Sequence, residues 1–92
     1  MRVVVRVPAP LRPFAGGAEC VEVTGVDTVG AAFAALDATH PALRRRLTDE
    51  TGALRRHVNV YLGDDNIRDL SGLATPVPDG AELLVLPSIA GG

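Results

Sequence analysis

The sequence predicts an α+β domain in which one main helix packs on a mixed sheet of four to five strands. Three observations carry that prediction. Apolar residues alternate in 2–7, 19–24 and 57–62, and a further strand-like run at 82–87 is apolar on both faces. One stretch places Val29, Ala32, Phe33 and Leu36 at i, i+3, i+4 and i+7, a single helical stripe. The resulting order is strand, strand, helix, strand, short strand, strand. A crossover helix after a hairpin returns a later strand to the same sheet, normally by a right-handed connection.

The elements follow in chain order. In RVVVRV (2–7), Val3, Val5 and Val7 share one face, with Arg2, Val4 and Arg6 on the other. Pro8, Pro10 and Pro13 close off pairing, because proline lacks the N–H that a ladder needs. LRPFAGG (11–17) therefore reads as a loop that turns at Gly16-Gly17. ECVEVT (19–24), with Val21 and Val23 inward, completes an antiparallel hairpin. Asp27 or Thr28 can cap the helix, and Pro41 ends it around Thr39 or His40. Gly30 costs about 1 kcal/mol against alanine inside a helix and marks close packing on a strand. Leu43 and Leu47, four apart, suggest a short second helix or turn over 42–48.

HVNVYL (57–62) turns Val58, Val60 and Leu62 inward and His57, Asn59 and Tyr61 outward. GDDN (63–66) is a turn, after which Ile67 begins a brief extended piece. Residues 70–80 are loop-rich, with Asp79-Gly80 a tight turn, and ELLVLP (82–87) is the last strand. Leu83 and Val85 should meet the helix, leaving Leu84 and Leu86 on the opposite face. A strand apolar on both faces is usually buried on both. A single helix layer therefore leaves Leu84, Leu86, Tyr61 and Asn59 as a surface awaiting a partner, unless 41–56 folds back over it. This is the arrangement of a β-grasp fold, with a domain at 1–87 and a flexible Gly-Gly tail at 88–92.

Composition narrows the function. At 92 residues there is room for one core only. Hydrophobic residues make up 47% and charged residues 22%, too apolar for disorder, while 3% aromatics demand an aliphatic core. A net charge of −2 argues against nucleic acid as the partner. No apolar run reaches the ~18 residues of a membrane span, and no signal peptide is evident, so the expected location is cytoplasmic. Cys20 is alone and forms no disulfide framework or metal site; it reads as a packing residue or a partly exposed thiol. His40 and His57 are too far apart in sequence to suggest ligand spacing, and His40 is expected at a helix terminus where its cation suits the dipole. Asp64 and Asp65 face water in a turn, and Ser71 and Ser88 lack a base. LRRRL, with Arg44, Arg45 and Arg46, reads as the solvated side of a short helix, with some capacity to dock an acidic partner.

What remains is the end of the sequence, PSIAGG. Terminal glycines are often only a frayed end. The alternative is that the carboxylate of Gly92 is the reactive group. A carboxylate becomes an acyl donor once a partner transfers AMP to it from ATP, after which a sulfur nucleophile displaces AMP. The carbonyl must then travel into another protein's active site. Glycines lack Cβ and fit a narrow channel, while Ser88, Ile89 and Ala90 supply a tether of roughly 3.3 Å per residue.

Asn59, Asp65, Ile67-Arg68, Leu73, Thr75, Asp79-Gly80, Pro87 and Ala90-Gly91-Gly92 together make the chain resemble the ubiquitin-like sulfur carrier family. That family includes the small subunit of molybdopterin synthase and the thiamine-pathway carrier. LRPFAGG (11–17) with HVNVYLGDDNIRDLSGLATPVPDG (57–80) looks most like its cysteine-biosynthesis branch. The resemblance implies a carrier with no catalytic residue and no bound cofactor. Gly92 would be adenylated, with Mg and ATP, by a ubiquitin-activating-like adenylyltransferase and sulfurtransferase, and Gly91, Ala90 and Ile89 would be its tether. A PLP-dependent cysteine synthase would accept the sulfur, and a zinc-dependent peptidase would release cysteine. The alternatives are the small subunit of molybdopterin synthase, the carrier of another pathway, and a ubiquitin-like protein modifier. The last fits less well, because ubiquitin-type tails carry arginines before the Gly-Gly and PSIAGG is uncharged.

Overall fold

The computed structural model describes residues 2–87. Gly92, Gly91, Ala90 and Ile89, the expected reactive end and its tether, lie outside the described residues. Strands β1 (Arg2–Arg6), β2 (Cys20–Thr24), β3 (Val58–Leu62), β4 (Asp65–Asn66) and β5 (Glu82–Pro87) form one sheet in the order β2-β1-β5-β3-β4. β1 pairs antiparallel with β2 and parallel with β5, so the sheet is mixed, and β5 lies at its centre. α1 (Val29–Leu36) and α2 (Pro41–Leu47) cover one face. Between the layers sits the aliphatic core that the alternation demanded: Val3, Val5, Val21, Val23, Val58, Val60, Leu83 and Val85 from the sheet meet Val29, Ala32, Phe33 and Leu36 from α1.

α1 starts where an acceptor is available. Thr28, extended, takes the N–H of Ala31 on its hydroxyl at 3.1 Å, so Thr28 and not Asp27 is the cap. The helix stops three residues earlier than the proline signal suggests. Residues 37–39 tighten into bonds three residues back, from Asp37 N to Ala34 O and from Thr39 N to Leu36 O. Pro41 does not end α1. It opens α2, at a position where its missing N–H costs nothing. His40 is accordingly the N-cap of α2, not a cation at a helix C-terminus, and its Nδ1 lies 2.9 Å from Thr39 Oγ1.

Three further expectations need correction. The loop read over 11–17 is a 3-10 helix, Ala9–Ala15, which buries Leu11 and Ala15 and ends at Gly16 with φ 64°. Proline's fixed φ suits such a turn, and the lost strand pairing concealed it. Ile67 begins no extended piece: the strand is Asp65–Asn66, and Ile67, fully buried, opens a 3-10 turn capped by Asn66. Gly30 does pack closely, but against the 3-10 turn Gly72–Ala74 and not a strand. A Cβ there would stand 3.1 Å from Leu73 O.

Residues 41–56 do not fold over the outer sheet face. α2 joins the helical layer, packs on α1 and on the 3-10 helix Ala9–Ala15, and sends Leu43 and Leu47 into the core. Buried polar groups are satisfied there. Thr48 Oγ1 donates to Arg44 O, and Thr75 Oγ1 accepts from Ser71 N. Among the described residues no helix is long and apolar enough to cross a membrane.

Candidate functional site

The outer face of the sheet brings together all four residues expected on a partner surface. The antiparallel register of β3 and β5 sets Tyr61 opposite Leu84 and Asn59 opposite Leu86. Because side chains alternate along a strand, all four project from the face that the helices leave bare. Leu84 is 41% and Leu86 42% exposed, which is high for residues of a central strand. Tyr61 and Asn59 are half-buried, and Asn59 Oδ1 accepts from Asn66 Nδ2 at 3.3 Å. The result is a short apolar strip along the middle of the sheet.

A charged border runs beside it. Arg6 is the β1 partner of Leu84. Its guanidinium meets Glu82 at 3.5 Å, and Arg2 meets Glu22 at the same distance. These pairs are exposed and contribute little to stability. They do border the apolar strip with charge on its β1 side. Cys20, on edge strand β2, is exposed. Among the described residues no group of three or more His, Cys, Asp or Glu could hold a metal ion.

Sequence reasoning missed the neighbours that shape the strip's end. Leu84 and Leu86 help line a groove of about 230 Å³ with Arg6, Val7, Pro8, Arg12 and Glu19. Arg12 Nε donates to Val7 O at 3.1 Å, which holds the 3-10 helix against the end of β1. The available signal was the apolar spacing Leu11, Phe14, Ala15, which suits a helical turn better than a loop.

The strip ends where the described chain ends. β5 finishes at Pro87, which pairs with Val58 at the start of β3. Arg68 anchors that corner. Its Nη2 donates to the carbonyls of Val58, Arg55 and Arg56 at 2.7, 2.9 and 3.3 Å. The central strand pairs with β1 at Glu82, Leu83 and Leu84 and with β3 from Leu83 to Pro87, so β3 carries its last residues.

Comparison with known proteins places this geometry. The chain is 42% identical over 94 residues to the sulfur carrier protein CysO of Mycobacterium tuberculosis, with all of both chains covered. The crystal structure of that protein matches with a TM-score of 0.83, covering 95% of this chain and 99% of the other. CysO from Amycolatopsis orientalis, solved in a BexX/CysO complex, matches with a TM-score of 0.87 at 38% identity, covering 98% of this chain and 99% of that one. The small archaeal modifier protein 1 of Haloferax volcanii is 36% identical over 72 residues, 78% of each chain. Residues 5–92 match the model of the ThiS family, and the chain belongs to that family, with its ubiquitin-like β-grasp fold.

Proposed function

We propose that this chain is a sulfur carrier of cysteine biosynthesis whose working group is the carboxylate of Gly92. The observation that carries the reading is the placement of the apolar strip. Leu84 and Leu86 lie on the central strand that leads into 88–92, on the face no helix covers. Such a strip suits a partner that grips the sheet while it draws the C-terminus into its own cleft. The similarity to CysO proteins supports the same reading.

The chemistry belongs to the partners. In an activating enzyme of the ubiquitin-activating type, the Gly92 carboxylate attacks the α-phosphate of Mg-bound ATP and pyrophosphate leaves. Sulfide then attacks the acyl carbon and expels AMP, leaving a thiocarboxylate. In a PLP-dependent synthase, that sulfur bonds to the β-carbon of an activated serine as the activating group departs. A zinc-dependent peptidase hydrolyses the carrier–cysteine bond, which frees cysteine and restores the carboxylate. This chain contributes a deliverable end and a grip, and acts as a co-substrate. Ile89, Ala90 and Gly91 serve as its tether, and the compact domain at 1–87 as the handle.

Intact-mass measurement after incubation with ATP, sulfide and the cognate activating enzyme tests the proposal. A gain of about 16 Da, one oxygen exchanged for sulfur, is expected, and deletion of Gly91-Gly92 should abolish it without lowering the melting temperature. The described core residues run from Val3 to Val85. An unchanged mass, or lysine adducts on other proteins in its place, would refute the carrier reading.

A further inference from the structure

The chain's cations are all arginines apart from two histidines, and they are unevenly used. Among the described residues three arginines form ion pairs: Arg2 with Glu22, Arg6 with Glu82, and Arg44 with Asp37. Arg45, Arg46 and Arg55 form none within the described residues. Together with His57, Phe14 and Ala42 they line an open cavity of about 470 Å³.

Neutral groups hold two of these cations, Arg46 and Arg55, in place. Arg55 Nε donates to Arg45 O at 2.6 Å, and the Arg46 guanidinium lies 4.2 Å from the centre of the Phe14 ring. A carbonyl or a ring face orients a guanidinium without cancelling its charge. Asp49 and Glu50 share a neighbouring recess with Arg45 and Arg55. The Asp49 carboxylate accepts from the hydroxyl and N–H of Thr51 and the N–H of Ala53, and its charge offsets part of that of Arg55, leaving Arg45 and Arg46 as the cluster's uncompensated cations among the described residues. A chain of net charge −2 thus keeps a concentrated, pre-oriented basic cluster.

Its location gives it meaning. His57 immediately precedes Val58, and Val58 pairs with Pro87. The cluster therefore stands at the end of the sheet from which 88–92 continue. The opposite end carries Asp64 and Asp65 beyond β3 and Asp79 before β5.

We propose that Arg45, Arg46, Arg55 and His57 form a docking surface for an acidic protein, a patch of Asp and Glu side chains beside the cleft that receives 88–92. The inference rests on the carrier reading for what is delivered and adds the charge chemistry of the receiver. Exposed charges add little equilibrium affinity and much association rate, which suits a carrier that must leave as readily as it arrives. Single-stranded nucleic acid fits less well, because it needs aromatic stacking platforms. The face of Phe14 is occupied by Arg46, Phe33 is buried, and Tyr61 belongs to the outer sheet face.

Stopped-flow association of the full chain with its cognate activating enzyme, at low and high salt, tests the inference. The double variant Arg45→Glu/Arg46→Glu should associate at least about tenfold more slowly at low salt and lose most of the salt dependence. Arg45→Gln/Arg46→Gln should fall between it and the wild type, and thermal melts check that both variants fold. Asp64→Arg/Asp65→Arg should not slow association. An unchanged rate and salt slope in the Arg45→Glu/Arg46→Glu protein would overturn the inference while leaving sulfur loading of Gly92 intact. If the wild type gains no sulfur, the carrier reading falls instead, and NMR titration of the full chain with a glutamate-rich peptide decides the docking surface alone. Shifts centred on Arg45, Arg46 and Arg55 support it. Shifts centred elsewhere, or a stronger response to a single-stranded oligonucleotide of equal charge, overturn it.

Discussion

Arg68 donates through Nη2 to the carbonyl of Val58 at 2.7 Å, and Val58 is the residue that pairs with Pro87 at the end of the central strand. One guanidinium therefore ties the 3-10 turn after β4 to the corner from which the C-terminus continues. The same nitrogen also serves the carbonyls of Arg55 and Arg56, so a side chain reinforces the backbone bond from Arg55 N to Leu47 O in holding the segment before β3.

Replacing Arg68 by alanine should therefore cost about 1–2 kcal/mol, the usual range for losing hydrogen bonds from a charged donor. Arg68→Lys should recover only part of that loss, because the lysine ammonium ends one bond short of the position of Nη2 and is more strongly hydrated. Denaturant unfolding measures both. Hydrogen exchange at the start of β3 should accelerate in the alanine variant ahead of the rest of the sheet.

Leu84→Glu and Leu86→Glu should change stability by less than about 1 kcal/mol, since both side chains are exposed and neither belongs to the buried core. Each should weaken binding to the activating enzyme about tenfold or more, equivalent to about 1.4 kcal/mol. Calorimetry and thermal melts on the same samples separate the two effects. Unfolding by either variant would mean that the strip belongs to the core.

Gly30 faces Leu73 too closely for a branched side chain. Gly30→Val should lower stability by about 1–3 kcal/mol through overpacking. Gly30→Ala should be nearly neutral, because a helix-propensity gain of about 1 kcal/mol offsets the crowding of one methyl group. If valine were tolerated as well as alanine, the helix and the Gly72–Ala74 turn would be more loosely packed than the 3.1 Å approach implies.

The carboxyl of Asp49 is held below the ordinary aspartate range, chiefly by the Thr51 hydroxyl, with help from the N–H groups of Thr51 and Ala53 and the charge of Arg55. Burial acts the other way but does not prevail. A group whose pKa is depressed by folding contributes stability above its unfolded value of about 3.9, and that contribution fades as pH falls through the folded value. Asp49→Asn should therefore lower the melting temperature at neutral pH. The difference from the wild type should shrink as pH falls below about 4 and vanish below the depressed folded value, where the wild type also lacks the charge. A difference that stays constant down to pH 2 would show that the charge contributes nothing.

The amino-acid pattern alone determined the strand faces, the stripe of α1, the outward set Asn59, Tyr61, Leu84 and Leu86, and the α+β class. Each follows from a period of two or of 3.6 along a continuous stretch, which is local information. The 3-10 helix Ala9–Ala15 was hidden because three prolines mask periodicity, and the early end of α1 because a tightened last turn looks like more helix. Tertiary structure decided what depends on pairing across the chain. The register that sets Tyr61 against Leu84 and Asn59 against Leu86 joins residues more than twenty positions apart. Only the folded chain gathers Arg45 and Arg46 of α2 with Arg55 and His57 before β3 around one cavity. The physical reason is the same in each case: side-chain spacing fixes which face a residue takes, whereas packing between layers and pairing between strands fix which faces meet.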